Sequence, residues 1–395
     1  MRVETPVWRA HAQQLAQDLT DRGDLRSPAW YEALVSVPRH VFVPKYYLQD
    51  TSARPSRWVL HEPHDTVSTR QWLDLVYSPT TLVTDVASYA DRGVQIPVSS
   101  STKPDLMVRM LEFLDVSAGM RILEIGTGTG YNAALLAHRL GSRQVCSVDI
   151  DAGLVDTARA RLDQLGYHPS LVAADGAADL AHLGPFDRII ATCSVPTVPA
   201  PWIHELRPGG MVLAHVEGPL GAGNLAALYR ESARPTLQGR FLPWWGCFMR
   251  RRTAAGPVTG APRPEPSADR PTTRSTAVDP AALEGGFAFV AQLSLPAGMF
   301  RSVRMNDAGE PVTYLASPDG SWCEVARQPG EDGLRPVREA GPTSLWQNVE
   351  MAWEDWTALK EPACHEFGLT ITPDEQLIWH ADPDSGRRWA TSNGS

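Results

Sequence analysis

The sequence predicts an α/β protein with a doubly wound, mainly parallel sheet, followed by a small C-terminal α+β domain. Three observations lead to this prediction. An apolar strand pattern, a glycine-rich turn and a helical pattern follow one another in residues 121–140. Strand and helix patterns then alternate up to about residue 216, as they do in doubly wound sheets. A proline-rich stretch, 251–281, precedes a tail of different character.

The glycine-rich turn is the element around which the chain is organised. A short apolar run, 122–125, is typical of a buried parallel strand, and residues 131–140 have a helical composition. Three alternate positions between them are Gly126, Gly128 and Gly130. Glycine suits such a turn because it reaches positive φ and has no Cβ to block a ligand. A strand, a glycine turn and a helix together bring backbone N–H groups to a ligand at the carboxyl end of a sheet.

The spacing of the glycines indicates which ligand is bound. A dinucleotide site reads G-x-G-x-x-G with an acid about 20 residues later, whereas the third glycine here comes one residue earlier. The next strand pattern, 144–150, contains Asp149 near its end, and its carboxylate can accept hydrogen bonds from ribose hydroxyls. A glycine triplet alone is more often structural. With Glu124 before it and Asp149 after it, the segment resembles the E-x-G-x-G-x-G pattern of class I S-adenosylmethionine (SAM) methyltransferases, whose sheet is Rossmann-like.

Composition and charge restrict the functional class. A chain of 395 residues is long enough for two domains, and its net charge of −9 gives no general attraction to nucleic acid or anionic membrane. Five cysteines without C-x-x-C spacing favour a reducing compartment and argue against disulfides and zinc. The N-terminus lacks the apolar core of a signal peptide, and no run of 18 apolar residues occurs. We therefore expect a cytoplasmic protein that neither spans a membrane nor binds nucleic acid.

Residues 1–95 are predicted to form a largely helical N-terminal region. Its segments are two helical patterns, an apolar stretch between prolines, and a turn-rich remainder: 7–21, 24–37, 37–44 and 45–95. His61 and His64 have a spacing that metal ligands use. Because Pro63 lies between them and no third ligand is near, no metal site is predicted.

Four consecutive hydroxyl residues, 99–102, precede a predicted helix, 105–114. Ser and Thr often begin helices, because their side chains accept hydrogen bonds from first-turn amides. A cap needs only one hydroxyl, however, and the run lies just upstream of the glycine turn, where a substrate would approach. A helix cap and a substrate site both remain open.

The alternation of elements continues after the glycine turn. The predicted elements are helix 152–165, strand 170–174, strand 186–192, a helix from 201 to 206, and strand 211–216. Asp175 and Gly176 directly follow a strand. Asp175 is therefore placed to accept a hydrogen bond from an adenine amino group, although a solvated Asp-Gly turn is the simpler interpretation.

The tail has no glycine loop or acid–base cluster of its own. Strands are predicted at 287–295, 312–316, 322–325 and 377–380, and a helix at 345–359. Six of the 13 tryptophans lie in the tail. Such residues serve peptide contact in some proteins, but tryptophans at helical spacing more often lie in a core, which is the interpretation we favour.

Residues 1–250 resemble the protein-L-isoaspartate O-methyltransferases. The resemblance rests on several motifs in the family's order: Val37-Pro-Arg-His-Val-Phe-Val-Pro44, Ser100-Ser-Thr-Lys-Pro104, Leu123-Glu-Ile-Gly-Thr-Gly-Thr-Gly-Tyr131, Asp175-Gly176, Pro185-Phe-Asp187, Pro199 and Leu206-Arg-Pro-Gly-Gly210. It implies that the chain methylates an aspartate-type carboxylate of a peptide or protein, with SAM as cofactor and S-adenosyl-L-homocysteine as product.

The resemblance also implies a role for particular residues. The catalytic residues would be Ser100 and Thr102, which would hold the substrate carboxylate. The residues implied to bind SAM are Glu124, Gly126, Thr127, Gly128, Gly130, Asp149, Ile150, Asp175 and Gly176. No metal ligand is implied.

The sequence departs from the family pattern in three places. Thr102 lies where the family has Ser, and Ser99 where it has Gln. The segment Phe248-Met-Arg-Arg251 lies where the family reads F-V-P-L, and about 145 residues follow it. Added residues imply a particular partner, as in the extended homologues found with bacterial ribosomally made, post-translationally modified peptides. Those enzymes methylate one aspartate of a cyclised precursor, which then forms aspartimide.

These departures favour a methyltransferase dedicated to one modified peptide. The expected organisation is a SAM domain at 1–250, a proline-rich linker at 251–281, and a C-terminal α+β domain at 282–395 that engages the peptide. Two alternatives remain open: a general isoaspartyl repair methyltransferase, and a SAM-binding protein without catalysis.

Overall fold

The computed structural model describes residues 5–53, 56–63, 68–89, 94–253, 267, 269–384 and 386–391. In these residues the helices are α1 (Thr5–Asp21), α2 (Pro28–Ser36), α3 (Arg39–Phe42), α4 (Thr69–Val76), α5 (Pro104–Phe113), α6 (Tyr131–Leu140), α7 (Ala152–Gln164), α8 (Pro201–Glu205), α9 (Phe287–Ala291) and α10 (Leu345–Ala358).

The strands of the same residues are β1 (Tyr46–Asp50), β2 (Arg57–His61), β3 (Leu82–Tyr89), β4 (Val94–Ser101), β5 (Ile122–Ile125), β6 (Val145–Asp149), β7 (Ser170–Ala173), β8 (Phe186–Val195), β9 (Leu206–Glu217), β10 (Gly223–Arg230), β11 (Leu237–Phe241), β12 (Thr272–Thr276), β13 (Phe300–Met305), β14 (Pro311–Ala316), β15 (Trp322–Ala326), β16 (Arg335–Ala340), β17 (Phe367–Ile371), β18 (Gln376–His380) and β19 (Arg388–Ala390).

The chain divides into two compact units. The first contains Met1–Cys193, His204–Leu213 and Arg251–Pro257, and the second contains Ser194–Ile203, Ala214–Arg250 and Val258–Ser395.

In the first unit, α1 and α2 confirm the two predicted N-terminal helices. The stripe of α1 that contains Trp8, Leu15 and Leu19 is buried. Helix α2 begins later than predicted, because the hydroxyl of Ser27 accepts a hydrogen bond from Trp30 N and Pro28 occupies the first turn.

A four-stranded antiparallel sheet, in the order β2-β1-β3-β4, lies in the region predicted to be helical and turn-rich. Local sequence patterns do not predict this sheet. In β2 four of the five residues are half-buried, so apolar and polar residues do not alternate cleanly. A register irregularity at Val83–Asp85 interrupts the pairing of β3 with β4.

The parallel part of the first unit agrees with the prediction. Strand β5 pairs in parallel with both β6 and β8, and β6 pairs with β7, which gives the order β8-β5-β6-β7. Every residue of β5 and β6 is buried, as expected for strands covered on both faces. The carboxyl ends of β5 and β6 therefore lie side by side, and the glycine turn begins at the first of them.

The second unit contains two antiparallel arrangements. Strands β10, β11, β17, β18 and β19 are neighbours in that order, and the other sheet has the order β12-β16-β15-β14-β13. Helices α9 and α10 cover the second of these sheets with a core that contains Phe287, Trp346 and Val349.

The predicted domain boundaries differ from the structural ones. Strand β12 lies inside the predicted linker, 251–281, and pairs with β16, whereas residues 254–266 and 268 lie outside the described residues. Strand β17 of the tail pairs with β11, which precedes the predicted boundary at residue 250. Backbone pairing of this kind between distant segments leaves no local pattern in the sequence.

Most elements predicted in the tail are confirmed, as β14, β15, β18 and α10. The predicted strand 287–295 is wrong, since these residues form α9 and a 3₁₀ turn. Short apolar runs do not distinguish a buried strand from a buried helix. None of the six tail tryptophans is exposed, and Trp346 and Trp379 are buried, which supports the core interpretation.

Candidate cofactor and substrate site

The glycine turn leaves bare backbone beside the hydroxyl run. Gly126, Gly128 and Gly130 all have positive φ, at 97°, 51° and 88°. A Cβ at Gly126 would lie 2.8 Å from Thr192 Oγ1, whereas a Cβ at Gly128 would meet only the Ser100 carbonyl oxygen, at 3.9 Å. Gly128 therefore faces open space next to the predicted substrate residue.

Asp149 lies at the carboxyl end of β6, where its side chain is fixed by backbone donors. Its Oδ2 accepts a hydrogen bond from Gly128 N at 2.9 Å, and its Oδ1 accepts one from Asp151 N at 3.1 Å. Ile150, between the two acids, is half-buried. The predicted ribose acid and the glycine turn are thus joined directly.

Asp175 and Gly176 follow β7 in a tight turn. Asp175 Oδ1 accepts a hydrogen bond from Ala177 N at 2.9 Å, as expected for an Asp-Gly turn. Gly176 has a packing role as well, because a Cβ there would lie 2.5 Å from Ile125 Cγ2.

Two arginines contact the predicted cofactor acids, and sequence reasoning did not find them. Arg252 donates to Asp149 Oδ1 at 3.2 Å and to Asp151 Oδ2 at 3.0 Å. Arg251 forms an ion pair with Asp175. The sequence offers one signal for them: Arg251 ends the segment that departs from the family's F-V-P-L, and Arg252 directly follows it.

Glu124 is fully buried and makes its hydrogen bonds with protein groups. Its two carboxylate oxygens accept from Asn132 Nδ2 at 2.7 Å and from Ser147 Oγ at 2.5 Å. Burial raises the pKa of Glu124 to about 7, although both donors act against the increase. Ser147 Oγ also lies 2.7 Å from Thr127 Oγ1. The structure thus places Glu124 and Thr127 in a network beneath the glycine turn, and direct contact with SAM stays a prediction.

The hydroxyl run alternates between two environments because Ser99 to Ser101 end strand β4. Ser99 and Ser101 are buried, and their Oγ atoms accept hydrogen bonds from Thr84 Oγ1 at 3.0 Å and Arg39 Nη2 at 3.3 Å. Ser100 and Thr102 are half-buried, and among the described residues neither hydroxyl has a hydrogen-bond partner. Helix α5 begins after Lys103 without a side-chain cap, so the helix-cap interpretation is wrong.

A buried guanidinium, that of Arg39, fixes the hydroxyl run in place. Arg39 is fully buried, and burial lowers its pKa to about 10. Its acceptors are Val76 O at 2.5 Å, Ser78 O at 3.2 Å, Thr80 O at 3.3 Å, Thr102 O at 3.1 Å and Ser101 Oγ. The family segment around residues 37–44 was recognised in the sequence, but its arginine was given no role.

These residues fit the adenosine part of SAM on grounds of geometry. Open space at Gly128 admits a ligand to the backbone, and the Asp149 and Asp175 carboxylates are acceptors at neighbouring strand ends.

No group of three His, Cys, Asp or Glu side chains placed to hold a metal occurs in the described residues. His64 lies outside them, and His61 stacks on Tyr46 with ring centroids 5.6 Å apart. The described residues also contain no helix that is long and apolar enough to cross a membrane.

Comparison with known proteins supports the resemblance. The sequence profile of the family described as protein-L-isoaspartate(D-aspartate) O-methyltransferase (PCMT) matches residues 75–234. A protein-L-isoaspartate O-methyltransferase of Methanothermobacter thermautotrophicus is 30% identical over 224 residues, which are 56% of this chain and 86% of the relative. One from Koribacter versatilis is 38% identical over 144 residues, which are 36% of this chain and 62% of the relative.

A solved structure named protein-L-isoaspartate O-methyltransferase has the same fold over most of the chain. The TM-score is 0.54 at 21% identity, and the match covers 94% of this chain and 100% of the solved one. The similarity of fold therefore extends far beyond residue 250.

Replacing Arg39 with Met should destabilise the protein. Four buried or half-buried carbonyl groups and one hydroxyl would lose a charged donor, which we expect to lower the free energy of unfolding by roughly 3 kcal/mol. The measurement is thermal unfolding followed by circular dichroism. Arg57→Met is the control, because the Arg57 side chain is 68% exposed. Equal melting temperatures for the two variants would contradict a structural role for Arg39.

Glu124 should make stability depend on pH. Its folded pKa, about 7, lies above the ordinary value of 4.5, so the folded protein binds a proton that the unfolded chain releases between these pH values. Relative to Glu124→Gln, the wild-type protein should lose on the order of 3 kcal/mol of stability as pH rises from about 4.5 to above 7. Chemical denaturation at pH 5, 6, 7 and 8 measures the difference, and a constant difference would contradict the expectation.

Proposed function

Because the chain belongs to the protein-L-isoaspartate O-methyltransferase family, we propose that it methylates an aspartate-type carboxylate of a peptide or protein. The family consists of SAM-dependent carboxyl methyltransferases, and the chain has the fold of class I SAM-dependent methyltransferases. One observation carries the proposal for this chain: the hydroxyl run lies beside the glycine turn, with the Ser100 carbonyl oxygen 3.9 Å from the Cβ position at Gly128.

The site suits a reaction that needs positioning more than acid–base groups. SAM, when bound, supplies an electrophilic methyl group on a sulfonium. A carboxylate with a pKa near 4 is ionised at pH 7, so the chain needs no general base to activate it. The hydroxyls of Ser100 and Thr102 can donate hydrogen bonds to the carboxylate without neutralising it as a buried cation would. Orientation of this kind contributes up to roughly 7–11 kcal/mol in favourable cases.

We further propose that the substrate is one dedicated modified peptide, which is macrocyclic. The neighbouring backbone nitrogen would attack the carbonyl carbon of the methyl ester. The new C–N bond closes the aspartimide ring, and the methoxy group leaves with the amide proton as methanol. Thr102, which lies where the family has Ser, supports a changed substrate. The length of the chain does not support a changed substrate, because the solved protein-L-isoaspartate O-methyltransferase structure matches 94% of the chain. The cytoplasmic location and the lack of a nucleic-acid partner remain predictions.

A cavity in the second unit supports a role for the C-terminal residues in holding the peptide. Its volume is about 360 Å³, within the range of small ligand sites. Among the residues that line it are Val216, Phe241, Phe289, Ile378 and Ala297. Two buried glutamines also line it, but both of their amides bond to backbone, Gln292 to Ala222 O and Gln376 to Val198 O. The surface left for a ligand is mainly apolar and fits an apolar side chain of the peptide.

The activity is tested by mass spectrometry with SAM and two substrates, an isoaspartyl peptide and any precursor peptide that is encoded beside the gene. A gain of one methyl group followed by loss of methanol, on the precursor alone, is the expected result. Methylation of the isoaspartyl peptide would instead establish the repair activity. If neither peptide reacts although SAM binds, the chain is a SAM-binding protein without this activity.

Ser100→Ala and Thr102→Val should each lower kcat/KM for the methylated peptide at least tenfold, because each removes a donor to the carboxylate. The dissociation constant of SAM should not change. The matched control is Ser99→Ala, since the Ser99 hydroxyl bonds to Thr84 on the other side of the strand. Full activity in the double variant would contradict the role of the two hydroxyls.

Filling the cavity should impair methylation of the peptide without affecting the binding of SAM. Ala297→Trp places a large ring in the wall, and we expect kcat/KM for the precursor to fall at least tenfold while SAM binding is unchanged. Ala308→Trp is the control, because Ala308 is equally exposed and is not among the residues of the cavity wall. Equal activity in both variants would exclude the cavity from substrate binding.

A further inference from the structure

Arg251 and Arg252 form a guanidinium pair over the carboxylates of the candidate cofactor site. Arg252 spans two acids, with one Nη on Asp149 Oδ1 and the other on Asp151 Oδ2. Arg251 pairs with Asp175 Oδ1. The side chains of both arginines are about one-fifth exposed, so water screens these pairs less than it screens surface pairs.

The arginines leave room for a ligand on the same carboxylates. Arg252 uses only Oδ1 of Asp149, so Oδ2 receives a single hydrogen bond, from Gly128 N. Arg251 uses only Oδ1 of Asp175, and within the described residues no donor reaches the other oxygen. Each carboxylate oxygen accepts about two hydrogen bonds. The pairs and a set of ribose and adenine donors are therefore compatible.

One atom of the pair points to a ligand independently. Arg251 Nε is buried and has no hydrogen-bond partner in the part of the chain that the structure describes. A buried donor of this kind is costly unless an acceptor satisfies it. An adenine ring carries several acceptor nitrogens, and adenosine beside Asp175 can supply the missing acceptor when the Arg251 guanidinium turns toward it.

Charge gives a further reason for two adjacent arginines. Asp149, Asp151 and Asp175 put three carboxylates around the ends of β6 and β7, and the adenosine part of SAM has no charge of its own to balance them. Two guanidinium groups reduce the repulsion between these acids. They also hold the acceptor oxygens in fixed orientations before the ligand arrives, which lowers the cost of binding.

We propose that Arg251 and Arg252 are cofactor-positioning residues, which orient Asp175 toward the adenine amino group and Asp149 toward the ribose hydroxyls. The inference rests on the proposed SAM site and assigns it two residues that lie outside the glycine turn and the strand ends. The family pattern does not predict them, because they accompany the segment where this chain departs from F-V-P-L.

The test is isothermal titration calorimetry of the full-length protein with SAM, S-adenosyl-L-homocysteine and adenosine. Arg251→Gln and Arg252→Gln should each raise the dissociation constants of all three ligands at least tenfold, because the ligands share the adenosine part. Arg252→Lys should give an intermediate value, since one ammonium group cannot reach both Asp149 and Asp151 as a guanidinium does. The KM for the peptide should stay within twofold.

Arg207→Gln is the matched control, because Arg207 pairs with Asp187 in the same unit and should leave all three dissociation constants unchanged. Unchanged binding in the Arg251 and Arg252 variants would overturn the proposal, and tighter binding would also overturn it by showing that the arginines compete with the ligand. If the wild-type protein itself fails to bind SAM, the proposed cofactor site fails first, and that result is distinct from the other two.

Discussion

The fold of the first unit depends on a close approach of backbone at the carboxyl ends of its parallel strands. At three positions only a glycine fits: a Cβ would lie 2.8 Å from Thr192 Oγ1 at Gly126, 3.0 Å from Ala158 Cβ at Gly130, and 2.5 Å from Ile125 Cγ2 at Gly176. Larger residues would push apart β5, β8 and the segments after β6 and β7. Of the four glycines at these strand ends, Gly128 is the one with open space where a Cβ would be. The same packing that closes the sheet therefore leaves one place at which a ligand reaches the backbone.

Two buried ionisable groups, Arg39 and Glu124, stabilise this arrangement. Among the described residues, neither forms a hydrogen bond with a group of opposite charge. Arg39 donates to carbonyl and hydroxyl oxygens, and Glu124 accepts from an amide and a hydroxyl. Burial shifts both pKa values toward the neutral form, which shows that each residue has a cost to stability. Each residue also holds neighbouring elements in position. Arg39 sets the position of Thr102, and Glu124 joins β5, β6 and α6 beneath the glycine turn.

The sequence predicted the parallel sheet and the cofactor turn, because both follow from local patterns. Apolar runs, glycine spacing and strand-end acids are readable within about 60 residues. The N-terminal sheet and the boundary of the second unit were missed for a common reason. Strands such as β2 have no clear alternation, and the β11–β17 pairing joins residues more than 120 positions apart. Arg39, Arg251 and Arg252 were missed because the sequence shows that a cation is present but not which acceptors surround it.

The chemistry proposed for this site bears on where substrate selectivity resides. An ionised carboxylate needs only orientation, and the two hydroxyls proposed to provide it would do so for an aspartate and an isoaspartate alike. In that role Ser100 and Thr102 would recognise the reacting group and carry little information about the rest of the peptide. Selection of one peptide must come from contacts with other side chains of that peptide, and the cavity of the second unit, whose wall combines apolar side chains with Arg250, is where we propose that such contacts form. In the proposed function this cavity is what would distinguish a dedicated peptide from a general repair substrate, since the reacting groups are the same in both.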